Sequence, residues 1–503
     1  MKRTRMRLTC NSVASRAMTL SAALALAACS MGPDYVRPSA PVAAAYKEAL
    51  PSPATSADTS DWKPAQPGTA AAQRWWEVYG DPQLNTLEVQ VATANQNVAA
   101  AAARYRSAQA TIAQFRSALF PTLSLNSGFT QTHASQNILF KSSAGVTVPD
   151  YLVGAQVSWE PDLWGRISRS IEGAEASAQA SAADLQGALL SMQAELATDY
   201  FQLRGIKQEQ QLLASTVQAY QRALTLTQNR YNGGVAPESD LTQAEAQLQE
   251  TQAQLLDLGI VHDQLEHAIA ILIGQSPSTF TPTAAPLGQN DPAPSAALSA
   301  VPLGVPSTLL ERRPDIAAAE RRVSAANAQV GVATAAFFPN LFITLTGGLE
   351  STNFGPFLTA PSRYWSLGPQ LAGTILDFGG RAATRNQARA GYDESVADYR
   401  ETVLGAFQQV EDNLAALRIL EAETKAQQAA VVAAQRSLSL LSNRYENGAI
   451  TYLNVVIAQT TALSDERAVV SLQRRRLAAS VGLIKALGGG WNVAELEAKP
   501  TAQ

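Results

Sequence analysis

The sequence predicts a mixed α and β protein built as two tandem repeats of helix, strand, strand, long helix and return helix. Three observations predict it. The turn Arg230-Tyr231-Asn232-Gly233-Gly234 returns as Arg444-Tyr445-Glu446-Asn447-Gly448, 214 positions later (444 − 230). Before each turn runs a seven-residue apolar repeat: Leu189, Leu196, Leu203, Gln210, Val217, Leu224, Tyr231 in the first copy, and Val403, Val410, Leu417, Thr424, Val431, Leu438, Tyr445 in the second, with the polar interruption kept. In each copy the pattern switches from helical to alternating after a Phe-Pro pair, Phe120-Pro121 and Phe338-Pro339. A sustained heptad argues for coiled-coil packing. At ~1.5 Å per residue, the stretch from Arg166 to Arg230 would span roughly 95 Å as a helix, which suits a stalk or tube better than a globule. Gly234 and Gly448 stand where a helix end needs a residue free to take positive φ, so each copy reads as a helical hairpin with a tight tip.

Composition agrees. Aromatic residues are 7% and charged residues 16% of the 503, with a net charge of −4, which suits long helices packed through small residues and gives no reason to expect nucleic acid. Arg474 to Arg476 is the one three-residue basic run and reads as a solvated helix face.

The chain begins with a targeting segment. Lys2, Arg3, Arg5, Arg7 and Arg16 precede any acid, and Ala17 to Ala28 is an apolar core too short to span a bilayer, so residues 1–28 read as a secretory signal. Leu26-Ala27-Ala28-Cys29 resembles the lipobox of bacterial lipoproteins, which would leave Cys29 as an acylated first residue; a plain signal cut at a nearby small residue is the alternative. Two acyl chains or more give stable anchoring. The other cysteine, Cys10, leaves with the signal, so the mature chain has no intrachain disulfide. Ser30 after the Cys resembles the pattern of lipoproteins sent on to the outer membrane.

Residues 29–75, rich in Pro, Ala, Ser and Thr, read as a lipid-anchored tether. The first repeat occupies 76–274. Its first helix is expected from Asp81, a good cap before Pro82, to Leu119. Two strands follow: Leu123, Leu125 and Phe129 alternate with polar residues, then Tyr151, Val153, Ala155, Val157 and Trp159 do the same. Asp162-Leu163-Trp164-Gly165-Arg166 opens the long helix, and Pro237 to Ile273 returns. A Pro-rich linker covers 275–307. The second repeat, 308–490, opens at Arg312-Arg313-Pro314-Asp315-Ile316 and runs as helix to Phe337. Its strands carry Leu341, Ile343, Leu345 and Trp365, Leu367, Leu371, Ile375 on one face; Asp377-Phe378-Gly379-Gly380-Arg381 opens its long helix and Thr451 to Leu487 returns. Residues 491–503 form a tail.

No segment after the signal approaches the length of a transmembrane helix. The strands nevertheless have the length of membrane-spanning ones, with Tyr151, Trp159, Tyr364 and Trp365 placed as an interfacial girdle. In lipid a sheet must close, and four strands are too few, so spanning strands require several copies: a dimer supplies eight strands and a trimer twelve. A soluble four-stranded sheet is the alternative.

The lipobox, the Arg312 to Leu341 stretch, the Phe-Pro junctions, the Asp162 and Asp377 motifs and the two Arg-Tyr tips together resemble the TolC-type outer-membrane factors, in particular the lipoprotein branch often called NodT-like. The resemblance covers essentially the whole mature chain. It implies a homotrimer whose twelve strands form one antiparallel barrel in the outer membrane, continued by a coiled-coil α-helical barrel in the periplasm. It also implies a passive exit duct docked through a periplasmic adaptor to an inner-membrane pump, expected to be proton-driven, with no cofactor beyond the lipid on Cys29. Adaptor contacts then fall at the tips, on Arg230, Tyr231, Gly234, Arg444, Tyr445 and Gly448; tip packing is the alternative.

In this family acidic residues on the second return helix constrict the tube. Here the corresponding positions hold Asn454 and Ile457, a departure. Leu453 fits the apolar constriction of the lipoprotein branch, and the nearby acid is Asp240, which aligns with Asn454 across the repeat. The expected periplasmic gate is therefore Asp240, Leu453, Asn454 and Ile457, closed mainly by apolar side chains through dewetting; Leu453 and Ile457 as plain packing residues are the alternative. Small-molecule efflux, of drugs or toxic metabolites, is the expected role, with protein secretion the rival duct and a non-pore lipid-anchored stalk the rival structure. An enzyme is not expected: His262 and His267 do not share a helix face, His133 lies in a loop, and no phosphate loop, nucleophile elbow or Cys-pair site occurs.

Overall fold

A computed structural model describes residues 31–43, 45–48, 74–137, 145–282, 285–287, 307 and 309–497. The signal and Cys29, together with most of the 275–307 linker, lie outside the described residues. In chain order the elements are α1 (Pro82–Ala94), α2 (Gln96–Ser117), β1 (Thr122–His133), β2 (Thr147–Trp159), α3 (Arg166–Asn232), α4 (Glu238–Leu272), α5 (Pro314–Ala335), β3 (Asn340–Ser351), β4 (Arg363–Ala372), α6 (Gly380–Glu446) and α7 (Tyr452–Ala486). The duplication is metric as well as sequential, since α3 and α6 have 67 residues each and α4 and α7 have 35 each. Two compact units cut across the repeats: Met1–Ser39, Tyr105–Ser181 and Ala319–Tyr399 form one, and Ala40–Arg104, Ala182–Ala318 and Arg400–Gln503 the other.

The first unit holds a four-stranded antiparallel sheet in the order β1-β2-β3-β4. Pairs such as Leu125↔Ala155, Ala155↔Gly347 and Gly347↔Trp365 share one face, and since side chains alternate, the register puts Leu123, Leu125, Phe129, Val153, Val157, Ile343, Leu345, Trp365 and Leu367 together on it. Ser124, Asn126, Gln156, Ser158, Thr344, Thr346, Ser366 and Gln370 line the other. The strand patterns expected from the sequence hold, except that β4 ends at Ala372 and leaves Ile375 beyond it. The girdle is corrected at one residue. Tyr364 adjoins Trp365 in sequence and therefore points to the polar face, where it crosses a glycine slot: a Cβ on Gly154 would stand 2.4 Å from the Tyr364 hydroxyl. Gly348, its partner in the ladder, admits no side chain either, because a Cβ there would meet Val153 O at 2.2 Å.

Both long helices begin at their Asp motifs. Asp162 accepts from Ile167 N at 3.0 Å and Ser168 N at 2.7 Å, and Asp377 accepts from Arg381 N at 3.0 Å, each carboxylate satisfying amides that the first helical turn leaves open. Trp164 stacks on Phe338 at 4.9 Å and donates to Pro339 O at 2.8 Å, so the Asp motif of the first repeat meets the Phe-Pro junction of the second.

The described part of the expected tether is held by an ion pair and hydrogen bonds. In the first unit Asp34 pairs with Arg169 at 3.1 Å, Tyr35 donates to Glu320, and Asn327 donates to Pro33 O at 3.0 Å. In the second unit the amides of Lys47 and Glu48 donate to the Glu411 carboxylate at 2.7 and 2.9 Å.

The second unit packs Trp75, Trp76 and Tyr79 with α1 against Leu196, Tyr200, Phe201 and Leu203 of α3 and Ile269, Leu272, Leu477 and Ile484 of the return helices. The helix expected over 81–119 is broken at Asn95, whose backbone is extended (ψ 127°). The Asn95 side chain then caps α2, accepting from Asn97 N and Val98 N at 2.9 and 3.1 Å, and donates to Leu272 O at 2.8 Å. The basic run is also not a purely solvated face, since Arg474 joins Arg467 on the buried Glu209 carboxylate.

Glu88 of α1 is fully buried and neither carboxylate oxygen has a hydrogen-bond partner. Burial pushes its carboxyl up to about 9. A folded-state value above the unfolded one gives stability that is full below about 4.5 and lost as pH rises through about 9. Thermal unfolding followed by circular dichroism should therefore show a midpoint that falls from pH 5 to pH 9, and Glu88→Gln should flatten that fall and raise the midpoint at the alkaline end.

Candidate functional site

The two tips are built alike. In the first, Gly234 takes φ 69°, its amide donates to Tyr231 O at 2.9 Å, and Val235 N donates to Arg230 O at 2.8 Å. In the second, Gly448 takes φ 76°, with Gly448 N to Tyr445 O and Ala449 N to Arg444 O both at 2.9 Å. These are the paired bonds of a Schellman motif, which satisfies carbonyls that a helix end leaves open, and only glycine adopts the left-handed residue without cost.

Equivalent side chains have different fates. Arg230 lies over the Tyr445 ring at 4.7 Å and donates to Tyr445 O at 3.0 Å and Glu446 O at 3.1 Å, so the first tip caps the α6 carboxyl end. The arrangement combines a cation over an aromatic face with charge that complements the helix dipole. Tyr445 is buried, and it packs with Ala244, Tyr452 and Val455, its ring 5.2 Å from that of Tyr452. Burial, with Tyr445, Tyr220 and the Asp240 carboxylate adding, pushes the Tyr452 phenol up to about 12. Tyr231 and Arg444 are exposed.

The proposed gate residues divide. Leu453 and Ile457 are 50% and 57% exposed and lie one turn apart on α7, a bare apolar step on a helix whose other side, Tyr452, Val455 and Ala458, is buried. In the first repeat the same positions hold Ser239 and Gln243, so the step occurs once per chain. Asn454 is exposed, but its amide donates to Thr451 Oγ1 at 3.1 Å and serves the start of α7. Asp240 is buried in the first turn of α4, on the packed side of the tip. The structure thus groups Asp240 with Tyr452 rather than with the exposed apolar step.

For Arg230 and Tyr445 the contact is the tip packing that the sequence left as the alternative to adaptor docking. Sequence reasoning missed two buried arginine anchors. Arg204 pairs with Asp81 at 2.9 Å, and Arg313 donates to Ala486 O at 2.8 Å and pairs with Asp315 at 2.6 Å. Among the described residues His262, Asp263 and Glu266 cluster with metal-binding residue types. His262 Nδ1 faces Asp263 at 3.0 Å, its Nε2 faces Glu266 at 3.5 Å, and Lys207 approaches Glu266 at 3.9 Å.

The family model for "Outer membrane efflux protein" matches residues 88–275 and 305–489. The chain belongs to the outer membrane efflux protein family. It is 30% identical over 470 residues to the probable efflux pump outer membrane protein TtgC of Pseudomonas putida, covering 93% of this chain and 94% of that one. It is 31% identical over 439 residues to the pyoverdine export outer membrane protein OpmQ of Pseudomonas aeruginosa, covering 86% and 91%. Among solved structures it superposes on the outer-membrane channel OprN with a TM-score of 0.81 and 30% identity, covering 92% of this chain and all of that one. The open-state MtrE outer-membrane channel of Neisseria gonorrhoeae gives 0.76 at 27% identity, covering 92% and 98%. As a member of this family the chain is an outer-membrane protein with the fold of these channels.

Because Arg230 holds the two tips of one efflux chain together, Arg230→Ala should loosen the second tip by ~1–3 kcal/mol, the range for a cation–π contact and hydrogen bonds to a charged donor. Hydrogen exchange should report faster exchange at residues 445–455 in Arg230→Ala, with Arg230→Lys partway between.

Proposed function

We propose that three copies of this chain close twelve strands into one outer-membrane barrel and form the passive exit duct of a tripartite efflux system. The observation that carries this reading is the sheet of the first unit, with one apolar and one polar face and two edges, β1 and β4, that have no strand partner among the described residues. Strands of 10–13 residues at ~3.3 Å each, tilted by about 45°, suit a hydrocarbon layer of roughly 30 Å. The apolar face meets lipid and the polar face lines the lumen. Among the described residues no helix is long and apolar enough to cross a membrane.

The duct takes small molecules from a periplasmic adaptor and a proton-driven inner-membrane pump; relatives named for toluene, antibiotic and pyoverdine export support that class of cargo. Cys29 carries the lipid anchor. The adaptor docks on the exposed turns around Gly234 and Gly448, where Val235 and Asn447 face outward. The α-helical tube is shut at this end by three copies of Leu453 and Ile457, an apolar constriction that resists ions by dewetting. Asp240, in the first turn of α4, is buried.

Reconstitution in planar bilayers tests the duct and its gate together. Wild type should conduct, with little block by divalent cations from the periplasmic side, and Ile457→Asp should create a carboxylate ring that divalent cations block. Strong block of the wild type would overturn the apolar gate, and absence of conductance in wild type and Ile457→Asp alike would overturn the duct. A photo-reactive residue at Asn447 in native membranes should capture the adaptor, and mass spectrometry of the mature N-terminal peptide should find Cys29 acylated.

A further inference from the structure

We propose that the junction between copies repeats the junction between the two halves of one chain, so that Arg444 of one copy lies on the Tyr231 ring of the partner subunit. This inference rests on the closed ring proposed above. Its own basis is a set of half-used contacts. Within the chain, first-repeat Arg230 reaches second-repeat Tyr445. The residues 214 positions on and back, Arg444 and Tyr231, carry the same side chains at the same two places of a Schellman turn, between helices of matched length. Both are exposed, Tyr231 by 38%, and among the described residues neither side chain has a hydrogen bond, ion pair or ring contact. A head-to-tail ring presents as many second-to-first junctions as first-to-second ones, each copy offering Arg444 forward and Tyr231 backward.

The first unit shows the same asymmetry independently. There the first-repeat Asp motif places Trp164 on second-repeat Phe338 and Pro339. The counterparts are uncovered: Phe120 before Pro121 is 68% exposed, and Ile375 and Phe378 are 98% and 93% exposed. Phe378 also holds φ 50°, a conformation costly for an aromatic residue, on a side chain that packs on little within its own chain. Seating the Phe378 segment on Phe120 and Pro121 of the partner subunit covers both patches, in the same direction around the ring as the tip contact. The sheet agrees, since β2 pairs with β3 inside the chain and leaves β4 to meet β1 of the next copy. The match departs at three places, one being Glu238 at the position equivalent to Tyr452, on which Tyr445 packs. The aromatic of the second Asp motif is one place earlier than Trp164, and Thr227, which meets the Tyr445 hydroxyl at 3.4 Å, is replaced at its counterpart by Leu441. The partner-facing tyrosine therefore keeps its hydroxyl in water.

The test uses full-length protein purified in detergent without adaptor. Its only cysteines are Cys10 and Cys29, so pairs introduced elsewhere can be read cleanly against the parent chain. Tyr231→Cys with Arg444→Cys, and separately Phe120→Cys with Phe378→Cys, treated with a short bismaleimide, should give covalent dimers and trimers on denaturing gels, while each single variant stays monomeric. A benzophenone amino acid in place of Tyr231, which keeps an aromatic ring there, should attach to the Arg444 peptide of another copy. Monomers only, or attachment elsewhere, from a preparation whose native mass is that of three chains overturns this junction and leaves the trimer standing. A native mass of one chain overturns the ring itself. Arg444→Ala should also raise the frequency of channel openings several-fold, with Arg444→Lys intermediate; openings unchanged in Arg444→Ala count against the contact.

Discussion

An unpaired strand edge in hydrocarbon leaves backbone amides and carbonyls with nothing to bond, at a cost of several kcal/mol per group, and the architecture of this chain follows from that cost. Its sheet has four strands with an apolar face, too few to close on themselves. Closure needs other copies, and copies joined head to tail need each chain to end, in space, with surfaces that fit its own beginning. A duplicated chain meets that need economically, because a first-to-second contact already present inside it is a template for the second-to-first contact outside it.

The duplication is then broken where symmetry would serve no purpose. The apolar step of Leu453 and Ile457 has Ser239 and Gln243 as its first-repeat equivalents, so a trimer carries three such steps and not six. Three side chains of this size can converge near an axis, whereas six would crowd it. Arg230 and Arg444 differ in the same sense, one engaged inside the chain and one presented outward.

What could be read from the sequence was what depends on local geometry. The two periods, 2 and 3.5, are imposed by backbone conformation, and the glycines at 234 and 448 by a left-handed turn, so strands, long helices and tips fell close to where the residues placed them. Long-range choices were less legible. Asn95 sits within a helical pattern, and only Leu272 O, far along the chain, makes its side chain more useful as a cap than as a helical surface residue. The Pro-rich segment after Cys29 has the composition of a free linker, yet Asp34 and Tyr35 find partners, Arg169 and Glu320, that no local pattern announces. Tyr364 and Trp365 are neighbours on β4 and so take opposite faces, which leaves only Trp365 on the apolar side. Asp240 was grouped with the gate by alignment alone, whereas burial decides its surroundings.

In the proposed duct the tip contact and the gate of Leu453 and Ile457 form mechanically one object. Arg230 holds the Tyr445 ring, Tyr445 packs on Tyr452, and Leu453 is the next residue on the same helix. A hairpin movement that draws Arg230 away removes a cation from one tyrosine face and two donors from the α6 carboxyl end, and it loosens the seat against which α7 sets Leu453 and Ile457. A hydrophobic constriction gates by dewetting, so on this proposal a small outward rotation of α7 would wet it. On the proposed gate and junction, a partner bound at the exposed turns would open the channel without touching Leu453 or Ile457, by competing for the surfaces that keep neighbouring hairpins in register.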